Sequence, residues 1–184
     1  PGVGGMGLGF VARILTETGA REGYTVNFYH QKGLAQRNGA VVSHVIYSLE
    51  GTPVSQRIPE GKADLILGLD FLETVRGLSL ASAPRTGVVC NTARTPTVLM
   101  LMGENRFPEG IEERILRCSD RDRYMGADFF RLSEHYFDNR LYANSMMLGS
   151  AYQLGLLPAH ADTVEAVIRE SVGKDERENN LRAF

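Results

Sequence analysis

The chain has 184 residues, 43% of them hydrophobic and 23% charged, with a formal net charge of −2 at pH 7. This length predicts one domain over 1–184, and a near-neutral charge without a run of Lys or Arg argues against nucleic-acid binding. No stretch reaches the roughly 20 apolar residues that cross a bilayer. No secretory signal is visible either, so we expect a cytoplasmic protein.

Helix and strand patterns alternate along the first half of the chain. Apolar residues at helical spacing predict a helix over 7–23, and Asp70 followed by Glu73 predicts a capping box that starts a helix over 71–82. The segment 96–102 is apolar and of uncertain type. Runs of β-branched and apolar residues predict strands over 23–30, 39–51, 63–70 and 85–92, with a hairpin at 49–52 that leads onto 53–58.

The second half is mostly helical, with one possible short strand over 123–127. Strands interleaved with helices predict an α/β fold of three layers, α/β/α, with a mostly parallel sheet and helices on both faces. The C-terminal helices are expected to cover this sheet rather than form a second domain. The predicted helices cover 108–119, 128–137, 143–155 and 163–172.

The opening PGVGGMGLGF has the glycine spacing of a Rossmann-like nucleotide loop. Glycines in this spacing allow a tight turn and let backbone N–H groups approach a phosphate at a helix N-terminus. The NAD-binding form also needs a strand before the loop and an acid at the end of the second strand. No strand is expected before the loop in this chain, and the second strand ends in Tyr29 and His30. NAD(P) is therefore disfavoured, while another anion, another nucleotide or a purely structural turn stay open.

Two further polar segments are expected at the same edge of the sheet as the glycine loop. Gln36, Arg37 and Asn38 precede Gly39 after the second strand, and Asn91 ends the strand over 85–92. The carboxyl edge of a parallel sheet is where ligands usually bind. These side chains are predicted to contact an anionic group or a partner subunit; a plain polar turn is the alternative for the first segment.

Catalytic and metal-binding patterns are absent from the sequence. The histidines show no HxH or HExxH spacing, no Ser/His/Asp order suggests a triad, and a metal site is not expected. Cys90 and Cys118 form no CxxC pair, so we expect two free thiols, with a disulfide as the alternative. If the chain belongs to an enzyme, its reactive cofactor is expected on another chain.

Several separated motifs resemble one family. GVGGMGLGFVARIL, GLAQRNGAVVSHV, GKADLILGLDFLETVR and the closing ANSMMLGSAYQLGLLP with a terminal NNLRAF are similar to the gamma-type domain of 2-oxoacid:ferredoxin oxidoreductases. The GLAQRNGAVVSHV segment is most like the indolepyruvate branch. The resemblance covers essentially the whole chain, although Met6 stands where many members have glutamine and Asn38 where many have glycine.

The resemblance implies a subunit that is inactive alone. Such enzymes oxidatively decarboxylate a 2-oxoacid, here an arylpyruvate such as indolepyruvate, to an acyl-CoA and reduce ferredoxin. Thiamine diphosphate and iron–sulfur clusters lie on partner subunits, and this chain would help form the coenzyme A side or the subunit interface, with no catalytic residue of its own. The residues expected to do so are Gly4, Gly5, Gly7, Gln36, Arg37, Asn38, Gly39 and Asn91.

Two other functions stay open from the residues alone. One is a self-contained NAD(P)-linked reductase, and the other is a non-enzymatic module that only holds a complex together. A homodimer of the isolated chain is also possible.

Overall fold

The structure, a computed structural model, describes residues 1–32, 40–52 and 55–184. Its strands are β1 (Gly2–Val3), β2 (Thr25–Lys32), β3 (Ala40–Ser48), β4 (Leu65–Gly68), β5 (Gly87–Asn91) and β6 (Tyr124–Ala127). Its helices are α1 (Leu8–Arg21), α2 (Phe71–Arg76), α3 (Val98–Leu101), α4 (Ile111–Cys118), α5 (Phe129–Phe137), α6 (Ala143–Gln153), α7 (Ala161–Ser171) and α8 (Arg177–Ala183). Every helix within these ranges is too short or too polar to span a lipid bilayer.

A parallel sheet with helices on both faces forms the centre of the domain. Its strand order is β4-β5-β6, and every residue of β5 is buried. Val89 of β5 packs into a core with α1, α6 and α7, whereas its neighbours Val88 and Cys90 pack into a second core with α2 and α4. Because successive strand residues point to opposite faces, one short apolar strand serves both cores. The expected three-layer α/β architecture is confirmed.

The N-terminal part adds an antiparallel sheet that the sequence did not predict. Its strand order is β1-β3-β2, and β2 pairs with β3 from Thr25 opposite Ser48 to Lys32 opposite Val41. Parallel neighbours need a crossover of about a dozen residues or more, and only 33–39 separate these two strands. The expectation that both belong to one mostly parallel sheet was therefore wrong for this part of the chain.

The segment after β3 does not form the expected second arm of a hairpin. Residues 55–58 are not a strand. The N–H of Ile58 donates to Nδ1 of His44 at 3.2 Å, and the guanidinium of Arg57 lies 4.6 Å above the ring of Tyr29. Because His44 and Tyr29 are opposite each other in the sheet, their side chains share one face. The segment therefore crosses that face instead of extending the edge.

A short strand does precede the glycine loop, contrary to expectation. β1 pairs antiparallel with Ala40 and Val41 of β3. On its other side, the N–H of Leu69, just after β4, donates to the carbonyl of Pro1 at 2.9 Å. β1 therefore connects the antiparallel sheet to the parallel one, and the glycine loop starts where the two sheets meet.

The caps explain where the central helices begin. Oδ1 of Asp70 accepts a hydrogen bond from the N–H of Glu73 at 2.9 Å, so the predicted cap of α2 is confirmed. The carboxylate of Glu73 bonds Arg76 at 2.6 Å. α2 is shorter than predicted, since a 3₁₀ turn follows it over Gly77–Leu80. The uncertain segment 96–102 forms the short helix α3, and the possible strand at 123–127 is β6.

Candidate functional site

The glycine loop turns sharply from β1 into α1. Gly5 and Gly7 have φ of +99° and +80°, values that L side chains rarely adopt. Gly7 is the N-cap of α1, and the first turn of this helix carries no acidic residue. Gly4 and Gly5 are exposed. A helix start of this kind presents backbone N–H groups and the positive end of the helix dipole, which suits contact with an anionic group or with polar groups of a partner.

A side chain from the far end of the chain holds this loop. Nδ2 of Asn144, in the first turn of α6, donates to the carbonyl of Met6 at 2.9 Å. A Cβ at Gly7 would collide with that same amide nitrogen. The glycine opening and the closing segment, which carry the resemblance separately in the sequence, therefore meet in the fold. Sequence reasoning did not assign a role to Asn144.

The start of α6 is itself anchored on the C-terminal helix α8. Oγ of Ser145 donates to Oδ1 of Asn180 at 2.7 Å, and Nδ2 of Asn180 donates to the carbonyl of Glu176 at 2.8 Å. Ser145 and Asn180 are both buried. A Cβ at Gly149 would collide with the backbone of Phe184, so the chain end packs closely against α6. The terminal NNLRAF segment thus supports the helix that holds the loop.

Asn91 lies at the carboxyl end of β5 and organises the backbone there. Its side chain is buried, and its Oδ1 accepts hydrogen bonds from the N–H groups of Ala93 at 3.2 Å and of Phe129 at 3.1 Å. Gly68 of β4 pairs with Cys90, the residue just before Asn91. The residue after Gly68 is Leu69, whose N–H donates to the carbonyl of Pro1, so Leu69 and Asn91 lie along the same edge of the sheet. The structure therefore places Asn91 and the base of the glycine loop at the ends of neighbouring strands.

Two buried acids lie beside this edge. Asp70 and Glu73 are only 4% and 6% exposed. The pKa of Glu73 is raised above its ordinary value, because the effect of burial exceeds the opposing effect of the Arg76 charge. Asp70 is occupied as a helix cap, and Glu73 holds the exposed Arg76. The i,i+3 spacing of Glu73 and Arg76 is the only local signal that could have predicted this pair.

Four of the predicted site residues belong to the segment between β2 and β3. Gln36, Arg37, Asn38 and Gly39 lie outside the described residues. The adjoining strands β2 and β3 are described up to Lys32 and from Ala40. β1 pairs with the first two residues of β3, Ala40 and Val41.

Two other reactive side chains, His44 and Cys90, are buried. His44 is buried and its Nδ1 accepts the N–H of Ile58; burial and then the nearby Arg57 lower its pKa. Burial raises the pKa of the Cys90 thiol to about 12, which makes it a poor nucleophile at neutral pH. Among the described residues, no group of three or more His, Cys, Asp or Glu side chains is placed to hold a metal ion.

A cavity of about 720 Å³ lies between β3 and β4, where the two sheets part. Val42 to Tyr47 of β3 form one wall, and Asp64 with the β4 residues Leu65 to Leu67 forms the other. Apolar side chains of α1, among them Leu8 and Val11, also line it. Both walls are strand edges, and no other described strand pairs with these residues on the side of the cavity.

Comparisons with known proteins agree on one family. The family described as pyruvate ferredoxin/flavodoxin oxidoreductase matches residues 1–184. The indolepyruvate oxidoreductase subunit IorB of Pyrococcus horikoshii is 31% identical over 187 residues, with 100% of this chain and 89% of that protein covered. The subunit of the same name from Thermococcus kodakarensis is 30% identical, with the same coverage of both chains.

Two solved structures share the fold. The gamma subunit of a keto/oxoacid ferredoxin oxidoreductase from Geobacter sulfurreducens has a TM-score of 0.63 at 19% identity, covering 100% of this chain and 90% of that one. The pyruvate oxidoreductase subunit PORC from Thermotoga maritima has a TM-score of 0.62 at 16% identity, covering 99% and 88%.

Proposed function

Because the chain belongs to the pyruvate ferredoxin/flavodoxin oxidoreductase family, we propose that it is the gamma-type subunit of an indolepyruvate:ferredoxin oxidoreductase. The enzyme would convert an arylpyruvate and coenzyme A to an aryl-acetyl-CoA, CO₂ and a proton, with two electrons passed to ferredoxin. The family membership that the sequence motifs predicted is confirmed. Two relatives that this chain matches along its full length are named as indolepyruvate oxidoreductase subunits, which supports the indolepyruvate branch of the family.

The chemistry of the reaction would be supplied by partner subunits. Thiamine diphosphate and iron–sulfur clusters supply decarboxylation and electron transfer when the complex is assembled. The relatives and the solved structures are named as subunits of oxidoreductases, which supports partner subunits that carry these groups. Cys90 and Cys118 are free thiols, as is usual in a reducing compartment, and we place the complex in the cytoplasm.

This chain would contribute one wall of the active site, on the side where coenzyme A binds. The observation that carries this proposal is the fixed position of the glycine loop, whose Met6 carbonyl is bonded to Asn144 at 2.9 Å. The exposed Gly4 and Gly5 and the N-cap Gly7 would approach the ligand or partner through the backbone. Asn91 would shape the neighbouring strand end. Gln36, Arg37, Asn38 and Gly39, which lie outside the described residues, stay proposed contacts of coenzyme A or of the partner.

The activity test uses the chain with and without its partner. The purified chain alone is expected to form no acyl-CoA from indolepyruvate and coenzyme A. The chain co-expressed with a thiamine-binding partner subunit is expected to form it and to reduce ferredoxin in the same assay. Acyl-CoA formation by the chain alone would overturn the assignment as a dependent subunit.

The site test compares two charge-removing changes in the reconstituted complex. The Gln36→Ala/Arg37→Ala variant is expected to raise the KM for coenzyme A. Arg169→Ala is the control. Arg169 is exposed on α7, so its replacement removes one positive charge at a place far from the loop in the sequence. An unchanged KM and turnover in the double variant would show that the loop is scaffold only. The relatives found do not favour the NAD(P)-linked alternative. That alternative predicts that NADPH raises the melting temperature of the chain.

A further inference from the structure

We propose that Asn144 is a positioning residue of this complex, which fixes the Met6–Gly7 peptide so that the Gly7 N–H faces the coenzyme A side. The inference rests on the proposed function, because that function gives the glycine loop its role. Asn144 lies within α6 and need not touch the substrate. It would act through the loop.

The hydrogen bond of Asn144 reaches away from its own helix. The first turn of α6 does not need this side chain as a cap, because the 3₁₀ turn Arg140–Tyr142 runs directly into α6 and is capped by Asn139, whose Oδ1 accepts the N–H of Leu141 at 3.0 Å. Asn144 instead donates to Met6, 138 residues away in the chain. The side chain therefore serves the loop rather than its own helix start.

Planarity of the peptide links this bond to the direction of the next N–H. The Met6–Gly7 peptide is trans, and in a trans peptide the C=O and N–H point in opposite directions. Because the Met6 carbonyl points at the Asn144 amide, the Gly7 N–H points away from α6. Loss of the bond would let this peptide rotate, since glycine restricts its neighbouring dihedral angles very little.

Gly7 leaves the space that the Asn144 amide occupies. Its φ of +80° already favours glycine, and a Cβ there would strike Nδ2 of Asn144. Gly5, with φ of +99°, has open space around its missing Cβ. The two glycines therefore differ: a Cβ at Gly5 would meet no neighbour, whereas a Cβ at Gly7 would displace the Asn144 amide.

The helix that presents Asn144 is rigidly held. Ser145 bonds Asn180 of α8, and Met147 and Leu148 are 1% and 0% exposed in the main core. A donor placed on a packed helix keeps a loop in position better than one on another loop. Asn144 therefore has the support that a positioning residue needs.

The experiment measures the loop and the reaction separately in the reconstituted complex. Asn144→Ala is expected to speed hydrogen exchange in the peptide that covers the glycine loop. It should raise the KM for coenzyme A roughly 3- to 10-fold, the equivalent of one lost hydrogen bond, with kcat and the KM for indolepyruvate within about two-fold. Ser150→Ala is the control, because it removes a hydrogen bond from Ser150 to Met146 within α6 and does not reach the loop.

A second variant tests the same hydrogen bond by a different change. Asn144→Asp keeps the shape but places a carboxylate oxygen against the Met6 carbonyl, so it should raise the exchange rate and the KM more than alanine does. Unchanged exchange in the loop of either variant would overturn the inference. Faster exchange with an unchanged KM would also overturn it if Gln36→Ala/Arg37→Ala does raise the KM. If neither set of variants changes the KM, the proposed coenzyme A role itself fails.

Discussion

Asn91 ends the central strand β5, and its side-chain oxygen accepts a hydrogen bond of 3.1 Å from the backbone N–H of Phe129 at the start of α5. The same oxygen accepts the N–H of Ala93 at 3.2 Å. One side chain thus holds the loop after β5 and the first turn of a helix against the strand end. A residue predicted from sequence as part of a ligand crevice also has a structural task at that edge.

Asn91→Ala is expected to destabilise the chain by about 2 kcal/mol, because it leaves the N–H groups of the buried Phe129 and the half-buried Ala93 without their acceptor. Asn105→Ala, at an exposed position, is the control and should change stability by less than about 0.5 kcal/mol. Urea unfolding followed by circular dichroism measures both. Equal stabilities of the two variants would contradict the structural role of Asn91.

Gly7 and Asn144 should be coupled in a double-mutant cycle of stability. Gly7→Ala should cost about 1–2 kcal/mol in strain at a left-handed φ, and more through its collision with Asn144. Asn144→Ala relieves the collision, so the double variant should be more stable than the sum of the single effects predicts, by about 1 kcal/mol. Urea unfolding of the four proteins gives the coupling free energy.

Gly5→Ala is the matched control for this cycle. Gly5 also has a positive φ, but nothing lies within 4 Å of its missing Cβ. Its combination with Asn144→Ala should therefore be additive. Additive behaviour of both pairs would show that Asn144 and Gly7 do not contact each other in solution.

The stability of the chain should fall as the pH decreases through the ordinary range of histidine, in part because of His44. Burial and the nearby Arg57 lower its folded-state pKa below the unfolded value of about 6.5. The unfolded state therefore binds more protons below that value, and the His44 contribution is present above it and lost as the pH falls.

Replacement of His44 should reduce this pH dependence. His44→Asn keeps an acceptor for the N–H of Ile58 and removes the titration, so its free energy of unfolding should change less between about pH 7 and 5. His135→Asn, at an exposed position, should keep the slope of the parent chain. Urea unfolding at a series of pH values measures the slope of the free energy of unfolding against pH. Identical slopes for the parent and His44→Asn would rule out a contribution from His44.

The two cysteines should react at different rates. Cys90 is fully buried and its pKa is raised to about 12, whereas Cys118 is partly exposed. Iodoacetamide should therefore modify Cys118 first in the folded chain, and both cysteines equally fast in urea. Peptide mass spectrometry locates the label. A folded Cys118→Ser variant that is still labelled rapidly would show that Cys90 is accessible.

Short-range patterns predicted most of the elements correctly. The helix expected over 7–23 is Leu8–Arg21, and the strand expected over 85–92 is Gly87–Asn91. The helix α8 was not predicted, because its seven residues lack a clear apolar period. Patterns of this kind work where burial alone determines the element, and they do not reveal what an element pairs with.

The sequence by itself determined the family and most of the helix and strand positions, because glycine spacing, apolar periodicity and capping residues are local signals. Only the tertiary structure decided that β2 and β3 pair antiparallel and that Asn144 bonds Met6, 138 residues before it. Strand direction depends on the length and path of a connection, and a side chain's partner depends on how distant elements pack. Neither leaves a periodic trace in the sequence.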